Sequence, residues 1–135
     1  MEEDNYKILA KIRLERAGEL LNEAKDLLAR EAYKSANNRA YYAIEKSLTA
    51  LLATANVQTQ THKGCLKQFN ILFIKDKDSF FTMQDYKIAA KAEQIRNSSD
   101  YDDFYIADKA ESSEQVSNAE KIYLKIKKYV EGDNG

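Results

Sequence analysis

Hydrophobic and polar positions alternate with a helical period along most of this chain, and the pattern is densest from Glu31 to Ala55. That stretch, EAYKSANNRAYYAIEKSLTALLATA, holds no glycine or proline. Two apolar series run through it at steps of three and four. One is Tyr33, Ala36, Ala40, Ala43, Ser47 and Ala50; the other is Tyr41, Ile44, Leu48, Leu51 and Ala55. Such steps place both series on adjoining faces of one helix. The combined surface is wider than the stripe of an ordinary surface helix, so the spacing predicts a central helix contacted by several others.

The segments on either side carry narrower stripes. Ala10, Leu14, Ala17, Leu21, Ala24 and Leu28, widened by Leu20 and Leu27, predict a first helix capped at Asp4 or Asn5 and ending near Arg30. A short junction at Glu31 makes it antiparallel to the central helix. Gly18, inside it, costs about 1 kcal/mol relative to alanine. After the polar run Asn56 to Thr61, Thr61 caps a shorter helix with Leu66, Phe69 and Phe73 inward. KDKDS then reads as a solvated loop, and Thr82 or Ser79 as the cap of a fourth helix with Met83, Tyr86, Ala90 and Ile95 inward. Ser98 to Lys109 reads as the longest irregular piece. Ser112 to Gln115 reads as a capping box for a last helix through Val116, Ala119, Tyr123, Ile126 and Val130, with residues 131–135 a frayed tail. The expectation is an all-α, up-and-down bundle of four main helices and one short helix, in a single domain over 1–135.

Composition narrows the functional classes. The absence of proline and the presence of only four glycines disfavour a sheet fold with many tight turns. Charged residues are 32% of the chain, yet the net charge is −1, so nucleic acid would have to be held by a local patch. The single cysteine, Cys65, allows no internal disulfide and reads as a small core residue. No stretch approaches the roughly 18 to 20 apolar residues of a membrane span. The acidic, then amphipathic N-terminus is unlike a secretory signal, and a cytoplasmic location is expected.

The most unusual local composition is Arg96-Asn97-Ser98-Ser99-Asp100-Tyr101, followed by Asp102-Asp103-Phe104-Tyr105. Arg96 and Asp100 share a face if the helix persists, as do Asn97 and Tyr101. Arg96 can hold a phosphate through its planar fork, with Asn97 orienting it; equally, Arg96 can pair with Asp100 or Glu93 while the serines end the helix. His62, the one histidine, can serve as an acid or base or simply fill the first turn after Thr61. Arg39 and Tyr42 border the polar side of the central helix, where Tyr42 can stack on RNA bases or simply pack. No phosphate-cradling glycine loop, zinc spacing or serine triad pattern is present. No metal or cofactor is expected.

Taken together, Asn38-Arg39-Ala40-Tyr41-Tyr42-Ala43, Thr61-His62-Lys63-Gly64, the run Arg96 to Tyr101 and the final helix entered through Ser112 resemble the HEPN domain family, in its small stand-alone prokaryotic branch. The likeness covers nearly the whole chain. It implies a helical bundle that usually dimerises, with the polar motif of the fourth helix near the dimer cleft. It further implies an RNA- or nucleotide-binding toxin, with metal-independent ribonuclease activity in many members and a minimal nucleotidyltransferase as antitoxin partner. Active members carry an arginine, a polar residue and then, four to six residues on, a histidine. Arg96 and Asn97 match the start, but Tyr101, Asp102 and Asp103 stand where the histidine falls. The candidate site is therefore Arg96 and Asn97, with Asp100, Tyr101 or His62 assisting and Arg39 and Tyr42 flanking. By analogy with regulated members, Tyr101 is also a candidate for modification by the partner enzyme. The alternative is a non-catalytic, dimeric interaction module for such a nucleotidyltransferase.

Overall fold

The computed structural model describes residues 3–75 and 80–132. Helix α1 spans Glu3–Ala29, α2 Tyr33–Thr54, α3 His62–Phe69, α4 Met83–Tyr101 and α5 Lys109–Gly132. A π-helical turn, Asn70–Ile74, continues α3, and the Lys75 amide donates back five residues to the Asn70 carbonyl at 2.8 Å. The described residues contain no strand. The fold is the expected all-α bundle.

Helix α2 is its axis and packs against α1, α3, α4 and α5. The reason lies in its residues: Ala36, Ala40, Ala43 and Ala50 are at most 1% exposed, and small side chains admit neighbouring backbones closely. Ile44, Leu48 and Leu51 fill the space that remains. The predicted series drifts only at its end, where Ala55 is exposed and Leu52 and Ala53 are buried instead.

Helices α1 and α2 end in the same way. Ala32 N–H donates to Leu27 O (2.9 Å) and Glu31 N–H to Leu28 O (3.0 Å); Val57 N–H donates to Leu52 O and Asn56 N–H to Ala53 O, both at 3.0 Å. These are Schellman closures, with Glu31 (φ 63°) and Asn56 (φ 59°) in the left-handed position. Phe69, Phe73, Phe81 and Tyr129 pack ring against ring and fix the π-helical turn to α5.

Several local expectations are corrected. Helix α1 is already helical at Asp4 and Asn5, so neither is its cap. Helix α4 keeps the predicted Ile95 inward and Tyr86 and Ala90 half-buried against the core, but Met83 is 47% exposed, and Asp85, Ile88, Ala89, Ala92 and Ser99 also face inward. The physical cause is Asp85, which completes a capping box with Thr82 and accepts from Lys125 Nζ of α5 at 2.7 Å. Helix α5 begins at Lys109, with the Asp108 carboxylate accepting from the Glu111 amide at 2.7 Å, so Ser112 is no cap. Ser112 and Gln115 lie inside the bundle, and Ser112 Oγ donates to the Tyr33 carbonyl at 3.3 Å. Helix α4 also runs on through Tyr101, which shortens the irregular segment to 102–108. Glu131 and Gly132 of the expected tail are still helical; residues 133–135, Ser79 and most of the KDKDS loop lie outside the described residues.

Candidate functional site

Three helices meet around Arg96. On α2, Asn38, Tyr41, Tyr42 and Glu45 share one face by their spacing of three, one and three residues. On α4, Glu93, Arg96 and Asp100 do the same. His62 enters as the first residue of α3, fixed by its neighbour Thr61, whose hydroxyl accepts the Gly64 amide at 3.0 Å. Beneath the group, the Asn37 amide donates to Ser99 Oγ at 3.1 Å in the buried α2–α4 interface. That bond sets the register in which α4 presents Arg96 to α2.

The Arg96 guanidinium lies against three aromatic rings, 4.8 Å from the centre of Tyr41, 5.6 Å from Tyr42 and 5.8 Å from Tyr101. Its Nη1 donates to the Tyr101 hydroxyl at 3.4 Å and faces Asp100 Oδ2 at 3.6 Å. The side chain is 17% exposed, so part of the fork reaches solvent. Partial burial opposes the charge, but the hydroxyls of Tyr42, Tyr41 and Tyr101 outweigh it and hold the guanidinium pKa above its usual value. Arg96 is a permanent cation on an aromatic mount.

Tyr41 joins this mount to the interior. Its hydroxyl donates to Glu45 Oε2 at 3.2 Å, and burial, reinforced by the Glu45 charge, raises the phenol above its ordinary range. The His62 ring meets the Tyr41 ring edge-on at 5.0 Å. Its side chain is 4% exposed, with Nδ1 3.9 Å from Glu45 Oε2 and Nε2 4.0 Å from Glu93 Oε2. Both distances are beyond hydrogen-bond length.

On the outer flank the Asn38 amide donates to Asp100 Oδ2 at 2.9 Å, and Arg39 Nη1 donates to Asn38 Oδ1 at 2.6 Å. Arg39 Nε in turn donates to Glu23 Oε1 of α1 at 2.8 Å.

Of the residues singled out in the sequence, the fold brings together Arg96, Asp100, Tyr101 and Tyr42, with His62 joined to them through Tyr41. Arg39 lies at the margin with its head group engaged, and Asn97 is exposed without being drawn into the cluster. Glu45, Glu93 and Asn38 were not singled out as site residues. Asn38, Tyr41, Tyr42 and Glu45 share a helical face that spacing alone gives, whereas Glu93 becomes relevant only through packing against α3. Among the described residues no three His, Cys, Asp or Glu side chains are placed to hold a metal ion. No helix among them is long and apolar enough to cross a membrane.

These features define a class: an all-α bundle with an arginine-centred polar cluster where its second and fourth helices meet. Residues 10–129 match the profile of the HEPN domain, and the chain belongs to that family. It is 35% identical over 117 residues to Putative toxin MJ0605 of Methanocaldococcus jannaschii, covering 85% of this chain and 84% of that one. Putative toxin MJ0142 of the same organism is 32% identical over 122 residues, covering 90% and 81%. A UPF0332 protein of Thermotoga maritima is 43% identical over 60 residues, 44% of this chain and 46% of that one.

Proposed function

We propose that this HEPN protein is the toxin of a toxin–antitoxin pair and that it binds RNA or a nucleotide phosphate at the Arg96 face. The observation that carries the reading is the Arg96 fork, kept charged and held against Tyr41 and Tyr42 with one edge open to solvent. A planar, permanently charged fork suits phosphate oxygens, and exposed Tyr101 beside it offers a ring for an unpaired base. The toxin names of the two Methanocaldococcus relatives support the biological role. The assembly proposed is a homodimer, with exposed Tyr101, Phe104 and Ile106 at or beside the contact between copies.

Cleavage of RNA needs a group that takes the proton of the ribose hydroxyl. His62 is enclosed by Tyr41, Glu45 and Glu93, so its position suits holding Tyr41 better than touching RNA. The test is incubation of single-stranded and structured RNAs in EDTA with wild type, Arg96→Ala and His62→Ala, alongside growth on induced expression. Binding and growth inhibition that disappear in Arg96→Ala support the reading; both unchanged in that variant sink it.

A second reading has its own observation. Tyr101, Asp102 and Asp103 occupy the positions of the family's motif histidine, Asp100 faces the Arg96 cation, and Glu45 and Glu93 flank His62. This favours a non-catalytic module that docks a minimal nucleotidyltransferase. Co-purification with such an enzyme, unaffected by Arg96→Ala and without RNA binding, would select it.

A further inference from the structure

Asp100 is placed unlike a residue that assists a ligand. Its Oδ2 sits at the edge of the Arg96 fork, 3.6 Å from Nη1, where an incoming phosphate oxygen would seek the same donor. The same oxygen accepts the Asn38 amide at 2.9 Å. Asn38 is itself held by Arg39, and Arg39 by Glu23 of α1. A run of polar contacts from α1 through α2 therefore keeps one carboxylate against the cation of α4. The gap to Nη1 exceeds hydrogen-bond length, so the carboxylate is retained by charge and by Asn38, without a paired fork-to-carboxylate contact. Both side chains are part exposed, 17% for Arg96 and 26% for Asp100, so a ligand can approach the pair.

We propose that Asp100 is a built-in competitor at the Arg96 site, and that a phosphate-bearing ligand binds by displacing it. The inference rests on the phosphate-binding reading of Arg96 given above. It makes Asp100 a restraint on affinity, with Asn38 as the residue that sets the strength of the restraint. Asn38 acts through Asp100 and is a positioning residue.

The experiment is fluorescence anisotropy with a fluorescein-labelled ten-nucleotide RNA of mixed sequence and full-length protein. Four variants are compared with wild type: Asp100→Asn, Asn38→Ala, Arg96→Ala and the double Arg96→Ala/Asp100→Asn. Asp100→Asn removes the charge but keeps the shape and an oxygen for Asn38. It is expected to bind about two- to fivefold more tightly, in keeping with a partly exposed charge pair. Asn38→Ala should gain about half as much on a logarithmic scale. The double variant should bind no better than Arg96→Ala alone.

If Arg96→Ala loses binding while Asp100→Asn is unchanged or weaker, Asp100 supports the ligand and the inference fails, though the site reading stands. If Asp100→Asn tightens binding equally with and without Arg96, the gain is general electrostatics and the inference fails again. If Arg96→Ala changes nothing, the site reading falls and takes the inference with it. Melting temperatures of all variants show that each is folded at the assay temperature.

Discussion

The guanidinium of Arg96 on α4 lies 4.8 Å from the ring centre of Tyr41 on α2, and Tyr41 donates its own hydroxyl to Glu45 at 3.2 Å. Tyr41 is thus bound at both its face and its tip, and only 2% of it is exposed. Tyr41→Phe keeps the mount and should bind RNA within about twofold of wild type. Tyr41→Leu removes the ring, with a loss of about 2–3 kcal/mol in urea denaturation from the lost volume and cation–π contact. Its RNA affinity should fall toward that of Arg96→Ala. A folded Tyr41→Leu protein with undiminished affinity would show that the ring does not position the arginine.

A second charged pair has a purely structural part. The Asp85 side chain is 1% exposed and accepts both from the Thr82 amide, at 2.9 Å, and from Lys125 Nζ, at 2.7 Å. Lys125 also lies over the rings of Phe80 and Phe81. Removing the cation strands a buried carboxylate, which is the costly way to break such a pair. Lys125→Met should lose about 3 kcal/mol of unfolding free energy. Asp85→Asn, which leaves no buried charge and lets part-exposed Lys125 reach water, should lose less. The reverse order in urea titrations would mean that the cap matters more than the pair.

This pair also shows why the first turn of α4 was not readable from the sequence. Pattern reading puts Met83 and Tyr86 inward because they are apolar and gives no inward place to Asp85. The fold does the opposite at Met83 and Asp85 because a capping carboxylate finds a lysine on α5, forty positions away. The central helix was readable because alanine and leucine at steps of three and four bury themselves without help from a distant partner. The same distinction divides the candidate site. Arg96 with Asp100 follows from spacing along one helix, whereas the enclosure of His62 by Glu45 and Glu93 depends on how three helices pack. Ser112 was misassigned for a related reason: a serine three residues before glutamine suits a cap, but here it faces α2 and bonds to the Tyr33 carbonyl.

Gly18, in the middle of α1, faces the ring of Tyr123 on α5. A Cβ built there would lie 2.9 Å from the Tyr123 hydroxyl oxygen and 3.3 Å from Cζ. Alanine would gain about 1 kcal/mol of helix propensity, but the phenol tip must move to admit it. Gly18→Ala should therefore be near neutral in wild type. With Tyr123→Phe already present it should stabilise by about 0.5 kcal/mol, since the closest atom is gone. A thermal denaturation cycle on the two singles and the double reads this coupling. Equal effects of Gly18→Ala in both backgrounds would show that the ring swings aside freely.

Cys65 offers a pH-dependent test of packing between α2 and α3. It is 1% exposed, and burial, followed by the Glu45 charge, pushes its thiol up to about 12 from an ordinary value of 9.0. The native state therefore keeps its proton at pH values where the unfolded chain has released it. Between those values the unfolded state binds fewer protons, so stability falls as pH rises. Tyr41 acts in the same direction, beginning about one unit below its ordinary value of 10.0. From pH 9 to 10 the thiol supplies most of the loss, about 1 kcal/mol, and Tyr41 a smaller share. Cys65→Ala should lower stability somewhat at every pH and show a shallower slope in this interval. Native protein at pH 8 should also resist a thiol-reactive disulfide reagent, while the urea-unfolded chain reacts at one site. An identical slope in Cys65→Ala, or rapid labelling of the folded protein, would mean that α3 opens readily from α2 and that His62, three residues before Cys65 on the same helix, is exposed along with it.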